Sequence, residues 1–341
     1  MSSLEIVDVD PSDPESFKPF YEVYAAANRH GPQGEFGTVW QPHEVRVAME
    51  DPDPRTFRVG WTGWIDGRVV ATGWMQGSTV DNTDLADVLI CCAPPDRGHG
   101  YAVEMLAHLE EQARARGRAR LVGEVHWPYD LGAEGVGSGE LAWARRQGFE
   151  LALVDVQRRL ALPVQAGRLD ELAAEAGAHH EGYQLRSFTG RVPDDLVDGW
   201  AALDATLMTE APMGDIDREV ATADVAAIRA EEAMVEKQGR VKVCTVALSP
   251  GGEVVAYTDI AVTVHESDRA YQWGTLVRPD HRGHRLGLAV KVANVRLLQE
   301  TYPELTTVVT FNADVNAPMV SVNDGLGFRP VEWLGELQKK V

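Results

Sequence analysis

Two short stretches decide the reading of this chain: Asp96-Arg97-Gly98-His99-Gly100-Tyr101-Ala102 and His281-Arg282-Gly283-His284-Arg285-Leu286-Gly287. Each follows a strand-like run (87–93 and 271–277) and leads into a helical pattern (103–116 and 288–302). Strand, glycine-rich turn and helix together make an anion-binding arrangement. The first N–H groups of a helix lack internal partners and lie at its positive end. Glycine lets the backbone close on the anion. Arg282 and Arg285 add charge-assisted hydrogen bonds suited to a pyrophosphate, whereas the earlier stretch offers Arg97 alone. Neither stretch is a P-loop, since no Gly-Lys-Ser/Thr follows. Neither is a dinucleotide fingerprint, since each follows a late strand and no acidic residue closes the required βαβ unit.

Around these two stretches the chain repeats itself. His30-Gly31-Pro32-Gln33-Gly34 resembles Glu210-Ala211-Pro212-Met213-Gly214, and Gln147-Gly148-Phe149 resembles Leu326-Gly327-Phe328. The three landmarks recur in one order at offsets of 180, 185 and 179 positions. So long a period is a duplicated domain, not a solenoid repeat. The intervening elements match too. Residues 4–9 and 184–188 alternate as half-buried strands. Phe17, Phe20, Tyr21 and Tyr24, and in the other half Leu196, Trp200, Leu203 and Leu207, fall on one helix face each. Strands 57–65 and 69–76 flank Asp66-Gly67, and strands 241–248 and 254–264 flank Ser249-Pro250-Gly251-Gly252. The expected fold is α/β: two tandem domains, each a mixed, mostly antiparallel sheet flanked by helices. Their expected bounds are 1–163 and 183–341, with a connecting helix in 164–182.

Composition narrows the functions. A chain of 341 residues suits two domains. A net charge of −20 argues against nucleic acid, whose phosphates need a basic face, and suits a cationic substrate. No run approaches the ~20 apolar residues of a membrane helix, and no signal peptide is evident at Met1-Ser2-Ser3-Leu4-Glu5. Three cysteines, two of them adjacent at Cys91-Cys92, fit unbridged thiols in a cytoplasm. His281 and His284 have no further ligand at metal spacing, so no metal is expected. A monomer or homodimer is expected.

Arg97-Gly98-His99-Gly100-Tyr101-Ala102 and, with Arg285 replacing the middle glycine, Arg282 to Gly287 resemble motif A of the GNAT acyl-CoA N-acyltransferases. Val277-Arg278-Pro279-Asp280 ahead of the second loop, and Asn312, Asn316, Met319, Asn323 and Gly327-Phe328 after it, are similar to the rest of such a domain. The resemblance covers almost the whole chain, once per half, in the tandem actinobacterial, mycothiol synthase-like arrangement. It implies an N-acetyltransferase moving the acetyl group of acetyl-CoA, its co-substrate, to a small amine by direct attack. Leu276 and Val277 would offer backbone groups to the pantetheine and thioester. Arg282, Gly283, His284, Arg285, Leu286 and Gly287 would cradle the pyrophosphate, and Asn312 and Asn316 would touch the pantetheine arm. Cys92, Arg97, Gly98, His99, Gly100, Tyr101 and Ala102 would form a second possible cofactor site.

The chain departs from the family where a tyrosine acid is usual, five residues before the Gly-Phe phenylalanine. Asn323 stands there in the second half and Ala144 in the first. Asn323 is thus the expected donor to the leaving thiol. Glu266 is the expected base, with His265, Asp259 and Gln272 also considered. Glu210 and Asp215 are expected to bind the acceptor, within a segment (204–236) of nine acidic and two basic residues. The first half lacks the two asparagines and carries His126-Trp127-Pro128-Tyr129 and a glycine-rich run at 132–139, so it is read as a degenerate partner. The second reading is a non-catalytic acyl-CoA sensor.

Overall fold

The computed structural model describes residues 3–29, 37–50, 55–210, 214 and 222–341. Two compact units divide the chain: Met1–Val154 with Gly214–Asp217 and Glu332–Val341, and Asp155–Met213 with Arg218–Val331.

The first unit begins with β1 (Glu5–Asp8), α1 (Pro14–Arg29) and α2 (Pro42–Glu50). Phe17, Phe20, Tyr24 and Ala27, spaced by three and four, form the buried face of α1. β2 (Thr56–Ile65) and β3 (Arg68–Ser78) make the hairpin expected at Asp66-Gly67. Both turn residues have positive φ (49° and 76°), as a turn matching strand twist requires. β4 (Leu85–Cys92) leads through the first Arg-Gly-His loop into α3 (Tyr101–Ala115). Met105 and Leu109 of α3 fill the place of a side chain at Gly73 of β3, so the helix lies close on the sheet. β5 (Arg120–Pro128), α4 (Gly139–Arg146) and β6 (Glu150–Ala161) follow. β1 to β4 are joined antiparallel in sequence order, and β4 then pairs β5 in parallel.

The second unit repeats the plan with α5 (Arg168–Gly177), β7 (Gln184–Thr189), α6 (Val197–Asp204), α7 (Leu207–Glu210), α8 (Val225–Lys237), β8 (Arg240–Leu248), β9 (Val254–Thr263), β10 (Arg269–Val277), α9 (Leu286–Thr301), β11 (Thr307–Ala313) and α10 (Ala317–Leu326). β7 to β10 pair antiparallel in order, and β10 pairs β11 in parallel. Every residue of β9 is buried, with Trp200 of α6 against Tyr257 on one face and the α9 cluster around Ile260 on the other. Helix α5, expected as a connector, joins that α9 cluster through Leu169, Leu172 and Ala176.

The units cut across the expected bounds of 1–163 and 183–341 because the closing strands are exchanged. β6 ends the first half of the sequence, yet its residues from Asp155 to Ala161 pair antiparallel with β11 of the second unit. The last strand, β12 (Arg329–Lys340), pairs antiparallel with β5 of the first unit from Glu332 to Lys340. Both halves end in an alternating strand of the same kind, so local pattern does not say which sheet each will join.

Candidate functional site

In each unit the single parallel ladder stops early. β10 and β11 share only Arg269–Thr307, Ala270–Val308 and Tyr271–Val309, so Gln272–Val277 has no ladder partner in β11. β4 and β5 share only Leu85–Arg120, Ala86–Leu121 and Asp87–Val122. Beyond these points two strand edges part into a wedge; the Gly274 N–H is taken by Asp259 and the Val277 carbonyl by Arg282, and strand edges of this kind suit an extended ligand with amides of its own. A register shift between Gln272 and Thr275 also bulges β10 against β9 at the mouth of its wedge.

Each wedge leads to its Arg-Gly-His loop. In the second unit Gly283 and Arg285 have positive φ (89° and 54°), which turns the chain into α9. Arg282 is held by Glu210 at 2.7 Å and Arg285 by Glu175 at 2.6 Å. Arg282 also donates from Nε to the Val277 carbonyl, and His284 lies 3.2 Å from the His179 carbonyl with its ring against Tyr183. In the first unit Gly98 and Gly100 both have positive φ (84° and 92°). Nothing lies within 4 Å of where their side chains would be. His99 stacks on Tyr101, and Arg97 donates to the Ala27 carbonyl of α1. Cys92, at the end of β4, is partly buried, and desolvation pushes its thiol up to about 11.

The acetyltransferase (GNAT) family model matches residues 20–133. Among curated proteins nothing matches. Among solved structures, a tandem GNAT protein from the clavulanic acid biosynthesis pathway is 25% identical with a TM-score of 0.81, over 99% of this chain and 98% of that one. Residues 20–133 thus match the GNAT family, and over its whole length the chain is similar to a tandem GNAT protein, which supports an acyltransferase. Its fold is shared, at 15% identity and a TM-score of 0.64, with a GCN5-related N-acetyltransferase from Sphaerobacter thermophilus, over 99% of this chain and 95% of that one. It is also shared, at 10% identity and 0.57, with Saccharomyces cerevisiae N-myristoyltransferase bound to myristoyl-CoA, over 100% of this chain and 79% of that one. The family match falls on the half that was expected to be degenerate.

Several side chains expected to serve acyl transfer in the second unit are engaged elsewhere. Asn323 is fully buried. Its oxygen accepts from Lys291 Nζ at 2.8 Å and its amide donates to Asn312 at 3.0 Å, so it is occupied at both ends. Asn312 in turn donates to the Ala313 carbonyl, and Asn316 caps α10 by accepting from the Met319 N–H. Asn323 and Asn312 are therefore an internal network rather than exposed donors. Glu266 lies in the β9–β10 turn, where it accepts from Tyr271 at 2.7 Å. That turn precedes β10, whereas the loop follows it, so the length of the strand separates Glu266 from the Arg282–Gly287 loop. Glu210 pairs with Arg282 of the loop instead of facing an acceptor alone. Asp215 lies outside the described residues.

Sequence reasoning considered Asp259 as a base but missed the polar group around it on the α6 and α8 side of the bulge. The Tyr257 hydroxyl donates to Asp204 at 2.9 Å, and Gly274 has no room for a side chain because Tyr257 and Asp259 stand there. Asp259 accepts from the Gly274 N–H at 2.7 Å and pairs with Lys242 at 3.3 Å; Lys242 also reaches Glu231. Desolvation, aided by the Glu231 charge, pushes the Asp204 carboxyl up to about 6. Two carboxylates, Asp259 and Glu231, thus pair with one lysine beside the bulge, and Asp204 stands near them on the Tyr257 hydroxyl. Among the described residues no His/Cys/Asp/Glu cluster could hold a metal, and no helix is long and apolar enough to cross a membrane.

Proposed function

We propose that the second unit moves the acetyl group of acetyl-CoA to the amine of a small cationic molecule by direct attack in a ternary complex. The observation that carries this reading is the wedge opening beyond Tyr271–Val309, with Arg282 and Arg285 at its loop. Pantetheine would run along the open edge of Gln272–Val277, with Leu276 and Val277 as backbone partners. The pyrophosphate would sit on the turn from Arg282 to Gly287. It would displace Glu210 and Glu175, because exposed ion pairs contribute little and two guanidinium groups bind phosphate strongly. Asn312 and Asn316 would shape the far wall.

Asp204, not Glu266, is the group suited to receive a proton from the amine. It titrates near 6, it lies beside the bulge through Tyr257, and its neighbours Asp259 and Glu231 favour a cation. Tyr257 stays protonated well above its usual range, as a hydrogen-bond donor must. Three unbridged thiols support a cytoplasmic setting.

The commitment of Asn323 to Lys291 and Asn312 leaves no amide for the leaving thiol, and this favours the sensor as the second reading. Release of CoA thiol against a panel of amines, beside acetyl-CoA calorimetry, separates the two. The enzyme reading expects turnover, with Arg282→Ala plus Arg285→Ala raising the acetyl-CoA KM about tenfold or more, at ~1.4 kcal/mol per factor of ten. Tight binding with no turnover on any amine would favour the sensor.

A further inference from the structure

The first unit carries a cluster of titratable groups that nothing above uses. His126 lies on β5 four residues beyond Val122, the last residue paired with β4, and so on the open edge of the first wedge. Its Nδ1 stands 3.3 Å from Glu332 Oε1. The imidazole keeps 23% of its side-chain surface while the carboxylate keeps 2%, so the ring is reachable and its partner is sealed in. Glu332 arrives on the exchanged strand β12: it pairs with Pro128, His126 pairs with Leu334, and the two side chains are diagonal neighbours on one sheet face. Tyr129 stacks on Trp333 at 4.9 Å and accepts from its indole N–H, which pins β12 at this register. Glu140, from the first turn of α4, accepts the backbone N–H of His126.

We propose that the first unit is a second acyl-transfer centre, in which His126 is the base for the amine and Glu332 holds its ring. The proposal takes the chemical class of reaction from the reading above but not the second unit's residues. A partly exposed imidazole with a buried carboxylate 3.3 Å from its Nδ1 is a base whose protonated form that carboxylate favours. The step balances in simple terms. His126 Nε2 takes one proton from the ammonium, and the freed lone pair forms the N–C bond at the thioester carbonyl. The C–S bond breaks with its electron pair on sulfur. The second proton on nitrogen goes to the CoA thiolate, and the imidazolium returns its proton to water. Burial pulls the imidazole down, but the adjacent Glu332 carboxylate and the charges of Glu124 and Glu140 outweigh it and hold His126 above its usual range. Glu140 is itself raised by desolvation, against the opposing charges of His126 and Arg97. A base held above its usual value suits an ammonium, whose own pKa is higher still.

The test uses the full chain, with acetyl-CoA as donor and spermidine as probe amine. The imidazole nitrogen signal of His126, assigned by its loss in His126→Gln, should shift when acetyl-CoA is added, and Glu332→Gln should lower its titration midpoint by about one pH unit. In the Arg282→Ala, Arg285→Ala background, His126→Gln should cut the remaining CoA release tenfold or more at unchanged acetyl-CoA affinity. Glu332→Gln should cut it less and move the acid limb of its pH profile downward. A His126 signal indifferent to acetyl-CoA overturns the proposal whichever amine reacts, as does a His126→Gln enzyme that matches its background. If instead the arginine background binds and turns over like the parent, the second-unit reading fails while the His126 results stand on their own.

Discussion

Lys291 carries its amine to full burial in α9, with Asn323 as hydrogen-bond acceptor and the Phe328 ring 5.3 Å away. Desolvation alone lowers it to about 7, well below an unfolded lysine. The unfolded chain therefore binds the proton more tightly. Stability contributed by the neutral amine is present at high pH and is lost as pH falls from about 10 towards 7. Relative to Lys291→Met, the parent should gain ~1.4 kcal/mol of unfolding free energy per pH unit across that window, measured by denaturant melts at several pH values. A flat difference would show that the lysine stays charged. Asp204 has the opposite sign. Its folded pKa of about 6 lies above the unfolded one, so stability is lost as pH rises through 4 to 6. Asp204→Asn should thus raise the melting temperature at pH 7 while lowering kcat/KM for the amine about tenfold or more, and it should abolish the activity limb near pH 6. A variant with unchanged kcat/KM would remove Asp204 from the chemistry. At this scale the sequence was legible in kind but not in role. Asn312 and Asn323 were picked out as special, but their partner Lys291 sits among Leu288, Val292 and Val295, where a helical pattern alone reads as an unremarkable core face. Tyr257 and Asp204 lie 53 positions apart and meet only through the packing of α6 on β9.

The elements were the most legible part. The strand, loop and helix around each Arg-Gly-His motif fall within about two residues of expectation, because alternation, Asp66-Gly67 and the helical stripes are local signals. The closing strands were not legible in their destination. β12 supplies Glu332, Trp333 and Leu337 to the first unit, all buried, and nothing within 329–340 names that sheet. Removing residues 332–341 should therefore strip amide-exchange protection from β5, and with it the first unit, before β10 and β11 are affected. Peptide-level hydrogen exchange reads this directly. Earlier loss at 307–313 than at 120–128 would mean that β12 does not support the first unit.

Across the whole molecule, a net charge of −20 sets the field through which substrates approach. On the proposed reading acetyl-CoA, an anion, would be captured at short range by Arg282 and Arg285, whereas a cationic acceptor would be drawn from a distance. The polar groups beside the bulge continue that field inward, with Asp259 and Glu231 on Lys242 and Asp204 on Tyr257. Salt separates the two contributions, since charges more than ~10 Å apart are largely screened at 0.1 M. With acetyl-CoA saturating at pH 7, kcat/KM for spermidine should fall roughly tenfold between low salt and 0.3 M NaCl, within the range of steered association. Hydroxylamine, uncharged at that pH, should change less than about twofold. Equal salt dependence for both acceptors would remove charge as the basis of acceptor choice.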